Sequence, residues 1–418
     1  MVGSKVDTGL LFTTRVVRLF AYGFLSVVLA LYLAEVGLSE AEIGLLLTLT
    51  LAGDAAVSLW ITTSADRIGR RRMLILGAVL MTLAGVAFVL TRNPALLILA
   101  AIVGVISPSG NEIGPFLSIE QAALSQLLPN ERRTHVLGWY NLVGSFATAL
   151  GALSGGWLAH TLQGSGISAL DSYRVVLVGY AACGLILILV FLGLSPAVEV
   201  DTPKGSHRRN AALGLHRSRG IVLRLSALFA LDAFAGGLIV QSILVYWFHL
   251  KFDADIGTLG SVFFGANILA GVSALLAARI AGRIGLINTM VFTHIPSNVL
   301  LCLVPLMPNL PLAIGVLLVR YSISQMDVPT RQSYTLAVVA PDERSAASGV
   351  TAIARSVGAS LSPVLSGILL ANPMLTGVPF FLAGGLKVVY DLLLYHRFRA
   401  LKPPEEMAAP VRVPSGRE

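Results

Sequence analysis

The stretch SPSGNEIGPFLSIEQAALSQ, residues 107–126, carries two carboxylates, Glu112 and Glu120, directly after the apolar run LLILAAIVGVI. Glu112 has no basic residue three or four positions away. A carboxylate with no cationic neighbour on its own helix suits proton exchange, because it can take up and release a proton as its access to water changes. A second grouping is Arg320, Asp327 and Arg331, spaced by 7 and 4 residues and therefore on one helix face. Such arginines can meet an anion, and Asp327 between them equally suits a self-contained triad. Asp54 and Asp232 are acids inside apolar runs, and Arg355 is a base in a similar setting. Lys387 and Asp391 stand four apart, the spacing of a local ion pair. His294 is isolated and reads as structural, and Cys183 and Cys302 lie in apolar runs that imply no disulfide framework. There is no catalytic dyad, metal-ligand cluster, soluble domain or phosphate loop, so the expectation is a protein that is not an enzyme and uses no metal or cofactor.

Most of these charges need a membrane around them to be remarkable, and the composition supplies it. Of 418 residues 55% are hydrophobic and 12% charged, with a mean hydropathy of +0.80. A soluble domain carries about 25% charged residues, so the solvent of much of this chain is lipid. The net charge of +8 is spread between apolar runs rather than gathered on a nucleic-acid-binding patch. At about 20 apolar residues per crossing, twelve spans are predicted near 16–37, 41–63, 73–91, 95–126, 135–160, 174–195, 222–248, 256–280, 286–307, 311–338, 346–371 and 377–396. Lys and Arg fall on alternate loops: Arg67, Arg70, Arg71, Arg72, Arg132, Arg133, Arg279, Arg283 and Arg344 on one side, with the 196–221 loop and the C-terminal tail. The other side holds Arg92, Arg174 and Lys251. By the positive-inside rule both termini are cytoplasmic, in a multi-pass protein of the cell (plasma or inner) membrane. On a ruler of about 1.5 Å per residue, Asp54, Glu112, Asp232, Arg320, Asp327, Arg355, Lys387 and Asp391 lie deep. Arg15 and Arg18 fall near an inner end, where they can snorkel.

The chain also repeats. ADRIGRRRML at 65–74 is echoed by AGRIGLINTM at 281–290, PNERR at 129–133 by PDERS at 341–345, and ALSGGWLA at 152–159 by VLSGILLA at 364–371. A shift of 212 to 216 residues throughout means two homologous halves in parallel orientation. The organisation is an N-terminal six-helix bundle (1–195), a cytoplasmic linker (196–221), a C-terminal six-helix bundle (222–400) and a cytoplasmic tail (401–418). Paired six-span halves place a transport site at the midplane between them.

ADRIGRRR after the second span resembles the loop signature G-x-L-A-D-R-x-G-R-R of the major facilitator superfamily, through Ala65, Asp66, Arg67, Gly69, Arg70 and Arg71. Thr62 and Ser64 depart from it, and the second-half copy has Gly282 for the acid. The fifth span, with Gly138, Ala147, Gly151, Gly155 and Gly156, resembles that superfamily's antiporter motif, with Ala147 and Ala152 as departures. Small residues at this spacing let helices approach closely in lipid. The resemblance, over essentially the whole chain, implies an all-α integral membrane protein of twelve transmembrane helices in two pseudo-symmetric six-helix bundles. It implies that spans 1, 4, 7 and 10 line the cavity and spans 2, 5, 8 and 11 shape the seam. Glu112, Asp232, Arg320, Asp327 and Arg331 are then cavity or proton-coupling candidates, and Asp54 with Arg355 a candidate pair across the seam. In such proteins an acid at the level of Glu120 latches the inner gate to the loop arginines, here Arg67 or Arg70, and Asp66 accepts N–H groups from a facing helix. The expected activity is alternating-access secondary transport: proton-coupled export of a small organic compound or drug by a monomer in the bilayer. The alternative is import or facilitated passage of a sugar or organic anion on the same fold.

Overall fold

The computed structural model describes residues 2–110, 116–128, 130–199 and 215–401. Among these all regular structure is helical. Span 1 is α1 (Val2–Ser26) with α2 (Leu29–Glu35), span 2 is α3 (Glu40–Ile68), and span 3 is α4 (Arg70–Leu90). Span 4 is α5 (Pro94–Val103) with α6 (Phe116–Leu127). Spans 5 and 6 are α7 (Asn130–Gly164) and α8 (Ala169–Leu192). In the second half, span 7 is α9 (Arg219–Gly237) with α10 (Gln241–Phe252), span 8 is α11 (Ile256–Ile284), and span 9 is α12 (Leu286–Leu303). Span 10 is α13 (Leu310–Tyr321) with α14 (Asp327–Ala337), span 11 is α15 (Arg344–Ser360) with α16 (Pro363–Leu370), and span 12 is α17 (Val378–Phe398). Nine helical stretches among the described residues are long and apolar enough to cross a bilayer, and the pair α1–α2, bent by 43°, makes a tenth. The remaining two spans are the short apolar helices α5 and α13, each followed by a more polar helix.

Local chemistry sets these boundaries. Ser39 accepts the Glu42 N–H while Glu42 bonds back to the Ser39 N–H, a capping box that starts α3. Asn93 caps α5 with Pro94 as its first residue, and Asp255 and Ser168 cap α11 and α8 in the same manner. Gly69 (φ 117°) and Gly285 (φ 87°) make the tight turns after spans 2 and 8. Each sits in a conformation that side-chain-bearing residues rarely adopt. Their separation is the shift of the first sequence repeat, so the signature loop is also a repeat of backbone geometry.

The four spans expected to line the cavity are each divided, span 1 at 27–28, span 4 between 103 and 116, span 7 at 238–240 and span 10 at 322–326. Span 11 is divided as well, at 361–362. Breaks at matching places in two repeats are the pattern of helices that surround a midplane site. Between the halves, glycines allow backbone contact. A Cβ at Gly44 would lie 2.6 Å from the Pro363 carbonyl oxygen, and one at Gly156 would lie 2.7 Å from the Gly260 Cα. Gly151 and Gly155 press on the Phe20 and Phe24 carbonyls of span 1, whereas Gly138 faces open space. The small-residue motif of span 5 thus closes against spans 1 and 8 through three of its four glycines.

Candidate functional site

The deepest charges converge in the C-terminal half. Asp232 of α9 accepts from Lys387 Nζ at 2.6 Å, from Arg331 at 3.0 Å and from Arg355 at 3.3 Å. Arg331 donates in addition to Asp327, one turn before it on α14, at 2.9 Å. One carboxylate therefore ties spans 7, 10, 11 and 12 together. Asp232, Asp327, Arg331 and Lys387 are buried, while 36% of the Arg355 side chain is exposed. Beside this network Asp391 accepts from Asn298 at 3.2 Å and lies 2.9 Å from His294 Nδ1.

Three expectations change here. Lys387 does not pair with Asp391: it reaches across to Asp232, and Asp391 turns to His294 and Asn298. Arg355 is bound to Asp232 and not to Asp54, which is itself buried in span 2. The face shared by Arg320, Asp327 and Arg331 is interrupted, because residues 322–326 separate α13 from α14. Helical spacing describes neighbours on one rod, whereas these partners come from neighbouring rods.

The N-terminal half holds a second buried pair. Arg18 of α1 makes two hydrogen bonds to Glu120 of α6, at 2.8 and 2.6 Å, and both side chains are fully buried. Thr14 donates to Glu120 at 2.7 Å, the Tyr140 hydroxyl donates as well, and the Arg18 guanidinium lies over the Phe116 ring at 4.7 Å. Glu120 is therefore no rim latch to Arg67 or Arg70, and Arg18 does not snorkel. The pair joins spans 1 and 4, as Asp232–Arg331 joins spans 7 and 10, with the signs exchanged. Both partners sit 211 to 214 residues apart in the chain, close to the repeat.

The signature loop is held differently from the expectation. Arg70 pairs with Asp66 at 3.2 Å and donates to Gln126 at 2.9 Å and to the Val198 carbonyl at 3.3 Å. Glu199 accepts the backbone N–H groups of Arg70 and Arg71 at 2.7 and 3.1 Å, placing a carboxylate at the positive end of α4. Glu199 thus takes the role foreseen for Asp66, on its own half. Asp66 and Arg67 are exposed. In the second half Glu343, between spans 10 and 11, accepts the N–H groups of His216, Arg217 and Ser218 just before α9. Burial alone would push its carboxyl up; these donors hold it at about 2. No motif spacing marks Glu199 in the sequence, and Glu343 stands in the PDERS echo at 341–345, which assigned it no role. Glu112 lies outside the described residues.

Hydrogen bonds join the halves at Glu40–Tyr246 (3.1 Å), Thr48–Val364 (2.9 Å) and Trp157–Ser261 (3.0 Å), and His160 lies 3.3 Å from Asp255. All lie toward the end opposite Gly69 and Gly285. At mid-depth the helix breaks meet. Gln241 donates to Ser26 at 2.8 Å, and the Ser242 hydroxyl is 2.8 Å from both the Ser26 and Pro108 carbonyls. Asn267 donates to Gln241 at 3.3 Å. Side chains thus satisfy backbone groups that the breaks set free inside the membrane.

Two six-span halves, with the hydrogen bonds described between them gathered toward one end and broken helices meeting at mid-depth, are the build of a membrane transporter. The Major Facilitator Superfamily profile matches residues 11–363, and the chain belongs to that family. It is 30% identical over 417 residues to the uncharacterized membrane protein YJR124C of Saccharomyces cerevisiae, covering 93% of each chain. It is 25% identical over 319 residues, 71% of each chain, to the multidrug resistance protein MdtG of Escherichia coli. Among solved structures, a mutant of the nucleoside transporter NupG superposes with a TM-score of 0.76 at 14% identity, over 94% of this chain and 99% of that one. The xylose transporter XylE from E. coli, in a partially occluded inward-open conformation, gives 0.72 at 14% identity over 97% and 99%.

Proposed function

We propose that the chain is a proton-coupled secondary transporter that exports a small organic compound by alternating access, as a monomer in the cell membrane with both termini cytoplasmic. The observation that carries this reading is the single carboxylate of Asp232 holding cations from spans 10, 11 and 12. Protonation would leave Lys387, Arg331 and Arg355 without their shared countercharge, so a proton is taken up there as spans 10, 11 and 12 draw apart, which couples it to the packing of helices beside the cavity. Arg331 and Asp327 transmit that change along span 10, and Arg355 receives it on span 11. Glu112 remains a candidate for a second proton site, on the cavity helix of the other half. The Asp66–Arg70 pair, with Arg67, Gly69 and Arg71, forms the inner gate, now anchored by Glu199 and Gln126. Export is supported by the likeness to MdtG, named as a multidrug resistance protein.

Purified protein in liposomes, with an imposed pH gradient and a panel of toxic compounds, tests the reading. Flux driven against a compound's gradient, collapsed by a proton ionophore and lost in Asp232→Asn or Glu112→Gln, is the expected result. Flux in the unaltered protein that ignores the pH gradient ends the claim of proton coupling.

A further inference from the structure

Four bases lie deep in the C-terminal half, and the structure satisfies three of them. Arg331, Arg355 and Lys387 all meet Asp232. Arg320 meets no carboxylate among the described residues, although it is 8% exposed. Its Nε has no hydrogen-bond partner there, and its one close polarisable neighbour is the Tyr321 ring, 5.0 Å from the guanidinium carbon. Asp327, which the sequence places seven residues on, is taken by Arg331 and separated by the break in span 10. A charge in a membrane span without a countercharge is costly and is retained where function uses it.

We infer that Arg320 receives the anionic group of the transported compound, so that the substrate class is a small organic anion. The inference rests on the transporter reading and adds the charge of the cargo to it. Arg320 continues the inward face of α13 below Ala313 and Leu317, which belong to the apolar core that runs through both halves. Its level on span 8 is bracketed by two contacts, Leu318 near Gly265 and the Gln325 N–H on Ser273 at 3.3 Å. Between them on span 8 lies Asn267, joined to Gln241 and through it to Ser26. An anion at this depth therefore finds, on span 10, a guanidinium whose Nε–H has no partner among the described residues, and amides and hydroxyls at a similar depth on spans 1, 7 and 8. The planar fork of arginine suits a carboxylate or phosphate in a two-point contact. The cavity is in this way selective for charge through one residue and adaptable through neutral ones.

The test uses the full chain, in detergent and in liposomes, with four probes of one shape: benzoate, phenyl phosphate, neutral benzamide and cationic benzylamine. Stabilisation against heat and uptake into vesicles are read for each. Benzoate or phenyl phosphate is expected to bind in preference to the other two. Arg320→Gln should weaken that binding about tenfold or more, the worth of a charged hydrogen bond. Arg320→Lys keeps the charge but loses the fork, so it should bind anions more weakly and stay selective for them. The lysine variant also serves if the glutamine variant loses its monodisperse state. A preference for benzamide or benzylamine, no response to either anion, or anion binding unchanged by both substitutions overturns the inference. Anion binding without any effect of a pH gradient would instead sink proton coupling and leave this inference standing. Gradient-driven export of cations alone would do the reverse.

Discussion

At Asp232 one carboxylate answers three cations, so removing its charge leaves Lys387, Arg331 and Arg355 close together in a low dielectric. Asp232→Asn should therefore destabilise the protein by about 3–5 kcal/mol, the usual cost of breaking a buried pair. Removing Lys387 as well, in Asp232→Asn with Lys387→Met, should recover part of that stability without recovering transport. Melting temperatures followed by tryptophan fluorescence check both statements; a double variant no more stable than the single one contradicts them. Glu343 gives a pH dependence of known sign. Its folded-state carboxyl lies at about 2, below the unfolded value of about 4.3. The stabilisation is thus full above the unfolded value and is lost as pH falls from there toward 2. Hydrogen exchange at residues 216–218 should be faster in Glu343→Gln than in the unaltered protein at pH 7. The difference should close toward pH 2, and a gap that persists there would show that the carboxylate is not the protecting group.

The elements were far more legible than their partners. Long apolar runs and alternating loop charge placed all twelve spans, because burial in lipid constrains every residue of a crossing. The half-polar character of spans 4 and 10 was visible as well, and the structure divides both into an apolar and a polar helix. The breaks in spans 1 and 7 were not foreseen: Ser26 and Leu238–Val240 carry no proline, and side chains of other helices satisfy the freed carbonyls, Ser242 of the other half at Ser26 and Ser366 of span 11 at Leu238. Ion-pair partners were missed for a related reason. Spacing along one helix suggested Lys387–Asp391, but rotation about the axis and the choice of neighbour decide such a pair, and neither is written locally. The repeat held the better clue, since a shift of 214, within the 212 to 216 residues of the sequence echoes, brings Arg18 level with Asp232. At the closed end, the contact of α3 with α16 through Gly44 and Gly367 depends on the absence of side chains. Gly44→Leu should wedge these helices apart and favour the state open at that end. A cysteine placed at Ile43, buried beside that contact, would then react faster with an impermeant maleimide, and an unchanged rate would show that the glycine contact does not hold the closed state.

As a whole, the molecule has two halves whose described polar contacts lie at mid-depth and on one side of it, while Asp66 and Arg67 of the signature loop are exposed at the other end. With the orientation expected from the loop charges, the closed end faces outward and the structure is inward-facing. On the proposed alternating-access reading, the contacts around Gly44, Gly156 and Tyr246 part while others form near Asp66 and Gly285. The buried charges bear on that motion in another way. Arg18 is neutralised by Glu120 inside the first half, and Asp232 by its cations inside the second. The seam between the halves is made of glycine backbones, hydroxyls and amides, with the His160–Asp255 pair at its solvent-facing edge. It behaves as a bearing: the deep ion pairs Arg18–Glu120 and Asp232 with its cations each lie within one half, so the two surfaces slide past one another without tearing them open and each half keeps those charges at home through the stroke.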